Sequence, residues 1–328
     1  MQAIVYTTYG SSDVLNLEEV ATPTPNDDEV LIKVHAASLN AYDWHLMRAD
    51  PFLVRIGGRG FFKPKNTIPG ADVAGVVAAV GKHVTQFRPG DAVFGDLSSS
   101  GDGALAEYAI ARENALVLKP DNLTFPEAAA VPMAAITALQ GLRDSGQIQP
   151  GKKVLINGAS GGVGTFAVQL AKVFQAEVTA VCSTGKMELV RTLGADHVID
   201  YTKENFTRGD ARYDLILGVN GYHPLADYKR VLAPKGIYVM AGGTNAQIFD
   251  AMLRGSLMSL RGDKKMTLVT AKIVQSDLEF LKGLLESGQV VPIIDRCYPL
   301  AAARDAMRYL EEGHARGKII ITMTESPA

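Results

Sequence analysis

Seven consecutive residues, Gly158-Ala159-Ser160-Gly161-Gly162-Val163-Gly164, carry the densest chemical signal in the chain. On the G-x-G-x-x-G template the positions are Ala159, Gly161 and Gly164, with alanine in place of the first glycine. Gly161 lets backbone approach a pyrophosphate and Gly164 lets a helix pack closely on a strand. Ser160, Gly162 and Val163 bring amides of the helix start that donate to phosphate oxygens. Beyond the next strand, an acidic residue would bind the ribose diol of NAD. Ser183 stands there instead, with Lys186 after it. A hydroxyl with an ammonium holds a 2′-phosphate that a carboxylate repels, which favours NADP(H) over NAD(H). Tyr201 adds a hydroxyl or a stacking face. Gly218-Val219-Asn220 and Ala241-Gly242-Gly243-Thr244 bring Val219, Gly242 and Gly243 to further strand ends, where backbone can meet ribose and nicotinamide.

Such a loop needs a strand before it, a helix after it and a second strand at the right distance. Lys153–Asn157 is an apolar run of strand length. Residues 163–174 place Val163, Phe166, Ala167, Leu170, Ala171 and Phe174 at helical spacing, and Glu177–Cys182 forms the next strand. A helix over 186–193 stops at Gly194, and strands follow at His197–Asp200, 215–217 and 236–240. Repeated β-α-β units predict a parallel, doubly wound sheet with right-handed crossovers. The first ~120 residues differ. Alternation over 29–34, a Pro69-Gly70 turn before 73–81, and Arg88-Pro89-Gly90-Asp91 before 92–94 predict short strands of a small barrel. The tail from about 264 mixes helix and strand and ends in Lys318–Thr322.

Composition narrows the class. Of 328 residues, 47% are hydrophobic and 21% charged, which excludes intrinsic disorder and suits two cores. A net charge of -2 leaves no basic footprint for nucleic acid or an anionic membrane. Two cysteines, Cys182 and Cys297, exclude a disulfide framework and any zinc site built from several thiolates. The start Met1-Gln2-Ala3-Ile4-Val5-Tyr6 lacks the features of a signal peptide, and no apolar window is long enough to span a bilayer. A cytoplasmic protein is the expectation.

Six segments occur in order over nearly the whole chain. They are Ala37-Ser38-Leu39-Asn40-Ala41-Tyr42-Asp43, Ile68-Pro69-Gly70-Ala71-Asp72-Val73-Ala74-Gly75, Arg88-Pro89-Gly90-Asp91-Ala92-Val93-Phe94-Gly95, the glycine loop, Leu193-Gly194-Ala195-Asp196-His197-Val198-Ile199-Asp200-Tyr201, and Gly313-His314-Ala315-Arg316-Gly317-Lys318. Together they resemble the zinc-free quinone oxidoreductase branch of the medium-chain dehydrogenase/reductase superfamily. The resemblance implies an α/β protein with a GroES-like β-barrel catalytic domain from 1–122 and 264–328. Inserted between is a Rossmann NADP(H)-binding domain over 123–263. It also implies a homodimer. Asn40 and Thr137 match family positions near the nicotinamide end of the cofactor. Asp43 matches a family aspartate that either takes part in catalysis or orients a loop through backbone bonds. Arg316 and Lys318 match a terminal signature where a basic group approaches the cofactor phosphate. Tyr42 is not fixed in the family, but its hydroxyl can bond a carbonyl or deliver a proton, with water as the rival donor. Trp44 and Phe52 are candidates to line an apolar acceptor pocket, and Arg48, Arg55, Arg59 and Lys63 to shape its entrance.

The zinc alcohol dehydrogenases of the superfamily require a ligand cysteine where Ala41, Tyr42 and Asp43 stand. They also require Gly-His-Glu where this chain has Gly70-Ala71-Asp72. No metal site is therefore expected. Without a Lewis acid the acceptor must carry its own electron sink. The implied reaction moves hydride from NADPH to a quinone or to the activated C=C of an α,β-unsaturated carbonyl. A non-catalytic NADPH-binding or scaffold protein and a zinc-dependent alcohol dehydrogenase are the alternatives.

Overall fold

The computed structural model describes residues 1–52, 54–56, 60–221, 223–243 and 263–323. It divides into two compact units, one of Met1–Met133, Ile273–Gly288 and Pro292–Ala328, the other of Ala134–Lys272 and Gln289–Val291. The chain begins with strands β1 (Gln2–Val5), β2 (Asn16–Glu19) and β3 (Glu29–Leu39), then helix α1 (Ala41–Arg48). Strands β4 (Asp72–Val80), β5 (Ala92–Asp96), β6 (Tyr108–Arg112) and β7 (Leu116–Leu118) lead to helix α2 (Phe125–Ala129). Then come α3 (Pro132–Gln140), β8 (Lys153–Asn157), α4 (Gly162–Val173), β9 (Glu177–Cys182), α5 (Met187–Thr192), β10 (His197–Asp200), β11 (Tyr213–Gly218), α6 (Leu225–Val231), β12 (Leu232–Met240) and β13 (Lys265–Leu268). The tail carries α7 (Gln275–Glu286), β14 (Ile294–Pro299), α8 (Ala303–Glu311) and β15 (Lys318–Thr322).

The first unit is built on a sheet of order β14-β15-β3-β4-β5-β7, with β6 also paired to β3. Its pairs are antiparallel apart from β14 with β15. Strand β3 starts with the alternation its sequence predicts, Val30, Ile32 and Val34 facing the core with Val73, Leu116 and Ile319. It then runs five residues beyond the predicted strand. Ala36 to Leu39 do not alternate in hydrophobicity, and their conformation comes from pairing with β4 on one side and β15 on the other. That pairing places Ser38, Asp72 and Asp96 in one row across three strands.

The second unit is a six-stranded sheet, parallel throughout, of order β10-β9-β8-β11-β12-β13. Its inner strands are continuous apolar runs because both faces are covered, as Val154, Leu155 and Ile156 illustrate. The chain winds outward from β8 to β10, then returns to the far side of β8 with β11. The switch point therefore lies between β8 and β11, where open α/β sheets bind ligands.

One expectation is corrected. The division falls at 133/134 and 272/273, not at 122/123 and 263/264. Helix α2 belongs to the first unit, packed on β3 and β4, while β13 closes the parallel sheet beside β12. Sequence pattern cannot assign a short helix or an edge strand to a neighbour it has not yet met. The helix expected over 186–193 is present as α5, with Lys186 and Leu193 as its caps, and a 3₁₀ turn, Thr184–Lys186, leads into it.

Candidate functional site

The glycine loop is the turn from β8 into α4. Gly158 turns the chain at φ +88° and Gly161 stands ahead of the helix in extended conformation, φ -85°. A Cβ on Gly164 would lie 2.1 Å from the Gly158 carbonyl oxygen, so the helix can approach the loop only because residue 164 lacks a side chain. Gly161 is different: a Cβ there would meet only that same oxygen, at an ordinary 3.7 Å. Gly161 is the N-cap of a twelve-residue helix, whose first amides have no intrahelical acceptor. Those donors and the positive helix end fit the pyrophosphate of a dinucleotide.

Neighbouring strand ends supply the rest of this surface. Asp200 pairs with Cys182 across β10 and β9, and the Tyr201 amide donates to the Cys182 carbonyl at 3.1 Å. Ser183, Lys186 and Tyr201 thereby stand on adjacent turns, the tyrosine 60% exposed. The turn is fixed by Asp200, whose carboxyl is held down to about 2 by the hydroxyls of Thr184 and Thr202. Val219 follows β11, its amide bound to the Asn157 carbonyl at 2.9 Å, and Gly242 and Gly243 follow β12. All lie at carboxyl ends of the parallel strands, as expected of a dinucleotide site. Thr137 is a half-buried residue of α3 in the same unit.

The first unit holds a second, buried group of polar side chains. The Lys318 ammonium, 3% exposed, donates to Asn40 Oδ1 at 2.5 Å, the Leu39 carbonyl at 3.2 Å and Asp72 Oδ2 at 3.3 Å. Asp72 Oδ2 also accepts from Ser38 Oγ at 2.7 Å and Asn40 Nδ2 at 2.9 Å, and its Oδ1 accepts from the Met133 amide at 2.9 Å. Asn40 Nδ2 turns its other hydrogen toward the Ser38 carbonyl, 3.5 Å away. Each amide donor of Asn40 thus already faces an acceptor inside the protein. Asp43, at the third position of α1, accepts from the Asn40 backbone amide at 2.7 Å through Oδ2. This is the orienting role that the sequence left as one of two possibilities.

Two carboxyl oxygens of the cluster, Asp43 Oδ1 and Asp96 Oδ2, are buried without a hydrogen-bond partner among the described residues. Burial pushes the Asp43 carboxyl well above the usual range, against the pull of the Asn40 amide. Asp96 is pushed up to about 7, by burial first and then by the Asp72 carboxylate opposite it on β4. Tyr42 sits apart from this interior. Its hydroxyl donates to Asp102 Oδ1 at 3.0 Å, and Asp102 lines a small concavity with Tyr6, Tyr9, Leu46 and Asn66.

The predicted residues thus separate. Lys318 does not stand as a free cation for a phosphate; its ammonium is committed to Asn40, Leu39 and Asp72, because β15 pairs with β3 and carries it inward. Arg316, two residues earlier, is exposed. Arg48 bonds Glu311 through two nitrogens, at 2.5 and 3.0 Å, tying α1 to α8. Trp44 stacks on His45 at 3.7 Å, half-buried, and Phe52 is exposed with its ring edge-on to Phe61. Arg55 lies over the Tyr9 ring, Lys63 is exposed, and Arg59 lies outside the described residues. Sequence reasoning does not single out Ser38, Asp72 and Asp96 as site residues. Their signal is nonetheless visible: polar side chains within apolar strand runs, a pattern that needs buried partners. Among the described residues no group of three His, Cys, Asp or Glu side chains is placed to hold a metal ion, and Cys182 and Cys297 are both free.

Residues 26–121 match the family model described as the alcohol dehydrogenase GroES-like domain, and residues 193–321 the one described as zinc-binding dehydrogenase. The chain is similar to 2-methylene-furan-3-one reductase of Solanum lycopersicum, 41% identical over 98% of this chain and 79% of that one. It is similar to the chloroplastic NADPH-dependent alkenal/one oxidoreductase of Arabidopsis thaliana, 38% identical over 98% of this chain and 79% of that one. The solved quinone oxidoreductase of Coxiella burnetii superposes with a TM-score of 0.87 at 28% identity, covering 99% of each chain. Several relatives are named as chloroplastic, which overturns the expectation of a cytoplasmic protein. Compartment is set by address segments, which leave no mark on the composition of a folded domain.

The raised Asp96 carboxyl makes stability depend on pH. Between about pH 3.8 and 7 the folded chain keeps a proton that the unfolded chain has released, so stability falls as pH rises through that window. Asp96→Asn has no such proton to lose. Its Tm should gain on that of the parent at pH 8 relative to pH 4, and calorimetry showing the same difference at both values would remove Asp96 from this role.

Proposed function

Because the chain belongs to the quinone oxidoreductase branch of the medium-chain dehydrogenase/reductase superfamily, we propose that it is an NADPH-dependent reductase of quinones or of the activated C=C of α,β-unsaturated carbonyls, working without zinc. The observation that carries the cofactor half of this reading is the glycine turn from β8 into α4, where Gly164 lets a twelve-residue helix start against the loop with its first amides unpaired within the helix.

In this reading the backbone from Ser160 through Gly161 leads along the pyrophosphate, and the amides of Gly162, Val163 and Gly164 donate to it. Ser183, Lys186 and Tyr201 hold the phosphorylated adenosine end. Val219, Gly242, Gly243 and Thr137 meet the nicotinamide half. NADPH, when bound, supplies a hydride from its nicotinamide C4. The acceptor that takes this hydride carries negative charge on oxygen, as an enolate or hydroquinone anion, and needs one proton to complete the reduction.

Of the candidates that the sequence offers near the nicotinamide, the Asn40 amide is engaged by Lys318 and Asp72, Asp43 holds the start of α1, and Thr137 is assigned to the cofactor. Tyr42 is the proton carrier in this reading, with water as the rival; its one O–H rests on Asp102 beside the concavity and turns from it to reach an acceptor. It gives its proton to the acceptor oxygen and regains one from water. The family resemblance further supports a homodimer, to be read by light scattering.

NADPH oxidation against a panel of quinones and enones tests the reading directly. Turnover with at least one class is expected, unaffected by chelator. Tight NADPH binding without turnover would make the chain a binding protein, and stoichiometric zinc essential to alcohol oxidation would make it an alcohol dehydrogenase.

Lys186→Glu should raise KM for NADPH at least about tenfold, because like-charge repulsion replaces a charge-assisted hydrogen bond, while KM for NADH changes little. An unchanged ratio would defeat the assignment of the 2′-phosphate. Tyr42→Phe should lower kcat by about 10²-fold, the lower end for loss of a positioned acid, with KM for NADPH intact. Full activity of that variant would leave water as the proton source.

A further inference from the structure

The buried ammonium and its partners do more than close the barrel. Lys318, Asp72 and Asn40 come from β15, β4 and the residue preceding α1, far apart in sequence, and they meet with almost every donor and acceptor used. The ammonium has three protons and three acceptors. Asn40 is gripped from both ends of its amide, Oδ1 by Lys318 and Nδ2 by Asp72, while its backbone amide is held by Asp43. Asn40 is the N-cap of α1, and Tyr42 is the second residue of that helix. A buried ion pair is an expensive way to fill a core, and apolar side chains of similar volume often stabilise as well or better. Here its geometric consequence is specific: it removes the rotational freedom of the one residue from which α1 departs.

We propose that Lys318 and Asp72 are positioning residues for the reduction, acting through the Asn40 amide to set the start of α1 and hence the Tyr42 hydroxyl on Asp102. The inference rests on the reading of the chain as a reductase in which Tyr42 delivers the proton. Neither Lys318 nor Asp72 touches substrate or cofactor in this scheme. A purely structural pair would be replaceable by any uncharged pair that folds, whereas a positioning pair would not.

The test compares Lys318→Met with the double variant Lys318→Met/Asp72→Asn, measuring Tm, kcat and KM for NADPH with the best acceptor from the panel. The single variant leaves an unpaired buried carboxylate, so its Tm and kcat both fall. The double variant removes both charges and should recover most of the Tm. Its kcat should stay about tenfold to a hundredfold below that of the parent, the scale of loss from a slightly misplaced group, with KM for NADPH within about twofold. Recovery of kcat along with Tm would overturn the proposal. Should the charge variants fail to fold, Asn40→Ser keeps a capping side chain and the ion pair but drops the amide. It should show the same loss of kcat at unchanged KM, and parental kcat in that variant would equally overturn the proposal. Lack of turnover by the parent protein with every acceptor would instead defeat the reductase reading itself.

Discussion

One ammonium among three carboxyls is the constraint on which the first unit is organised. Lys318 is the cation that joins Asp72 in its interior, while Asp43 and Asp96 are buried close enough to feel Asp72. Charge cannot be removed from water without compensation, and the fold supplies it in two ways. Asp72 is saturated by Lys318, Ser38, Asn40 and the first-turn amide of Met133, so its charge is shared among four donors on three separate stretches of chain. Asp43 and Asp96 lack comparable donors, and burial instead raises their affinity for a proton. The same row of residues thus fixes the register of β3, β4 and β5, the approach of β15, and the point at which α1 begins.

The second unit solves a different problem. Its sheet is largely apolar on both faces, with a few buried polar side chains such as Asn157, which donates to the Tyr228 hydroxyl. The β8–α4 turn works by what it omits. At Gly164 a missing Cβ lets the helix come down on the loop, a need internal to the protein. At Gly161, among the described residues, a Cβ would meet only the Gly158 carbonyl oxygen at 3.7 Å, so packing asks less of this position.

Function divides along similar lines. In the proposed reading the second unit supplies the donors for phosphate and the surface for a phosphorylated ribose, features that many dehydrogenases share. The kind of acceptor is restricted instead by what the first unit lacks at its ligand positions. Ala71 stands where the zinc enzymes of the superfamily carry a ligating histidine, and it is wholly buried in the barrel interior. An acceptor able to delocalise the incoming charge then needs only orientation and a proton, which a tyrosine on a rigidly seated helix can provide.

Much of this is legible in the sequence. The β-α-β succession, the boundaries of β8, β9, β10 and β15, and the dinucleotide loop all follow from local periodicity and from glycines whose neighbours are close in sequence. Such features depend on contacts within about thirty residues, which is the span of a βαβ unit. The assignment of α2 and β13 depends on which neighbour each meets, and the extension of β3 to Leu39 and above all the partners of Lys318 depend on strands hundreds of residues apart. From residue type alone a lysine near a terminal signature is a plausible phosphate ligand; only the pairing of β15 with β3 decides that it faces inward to Asn40 and Asp72. Local sequence determines which elements form and where a ligand's phosphates can lie. The tertiary structure decides which charged side chains are removed from water, because burial is a property of the whole assembly and of no single segment.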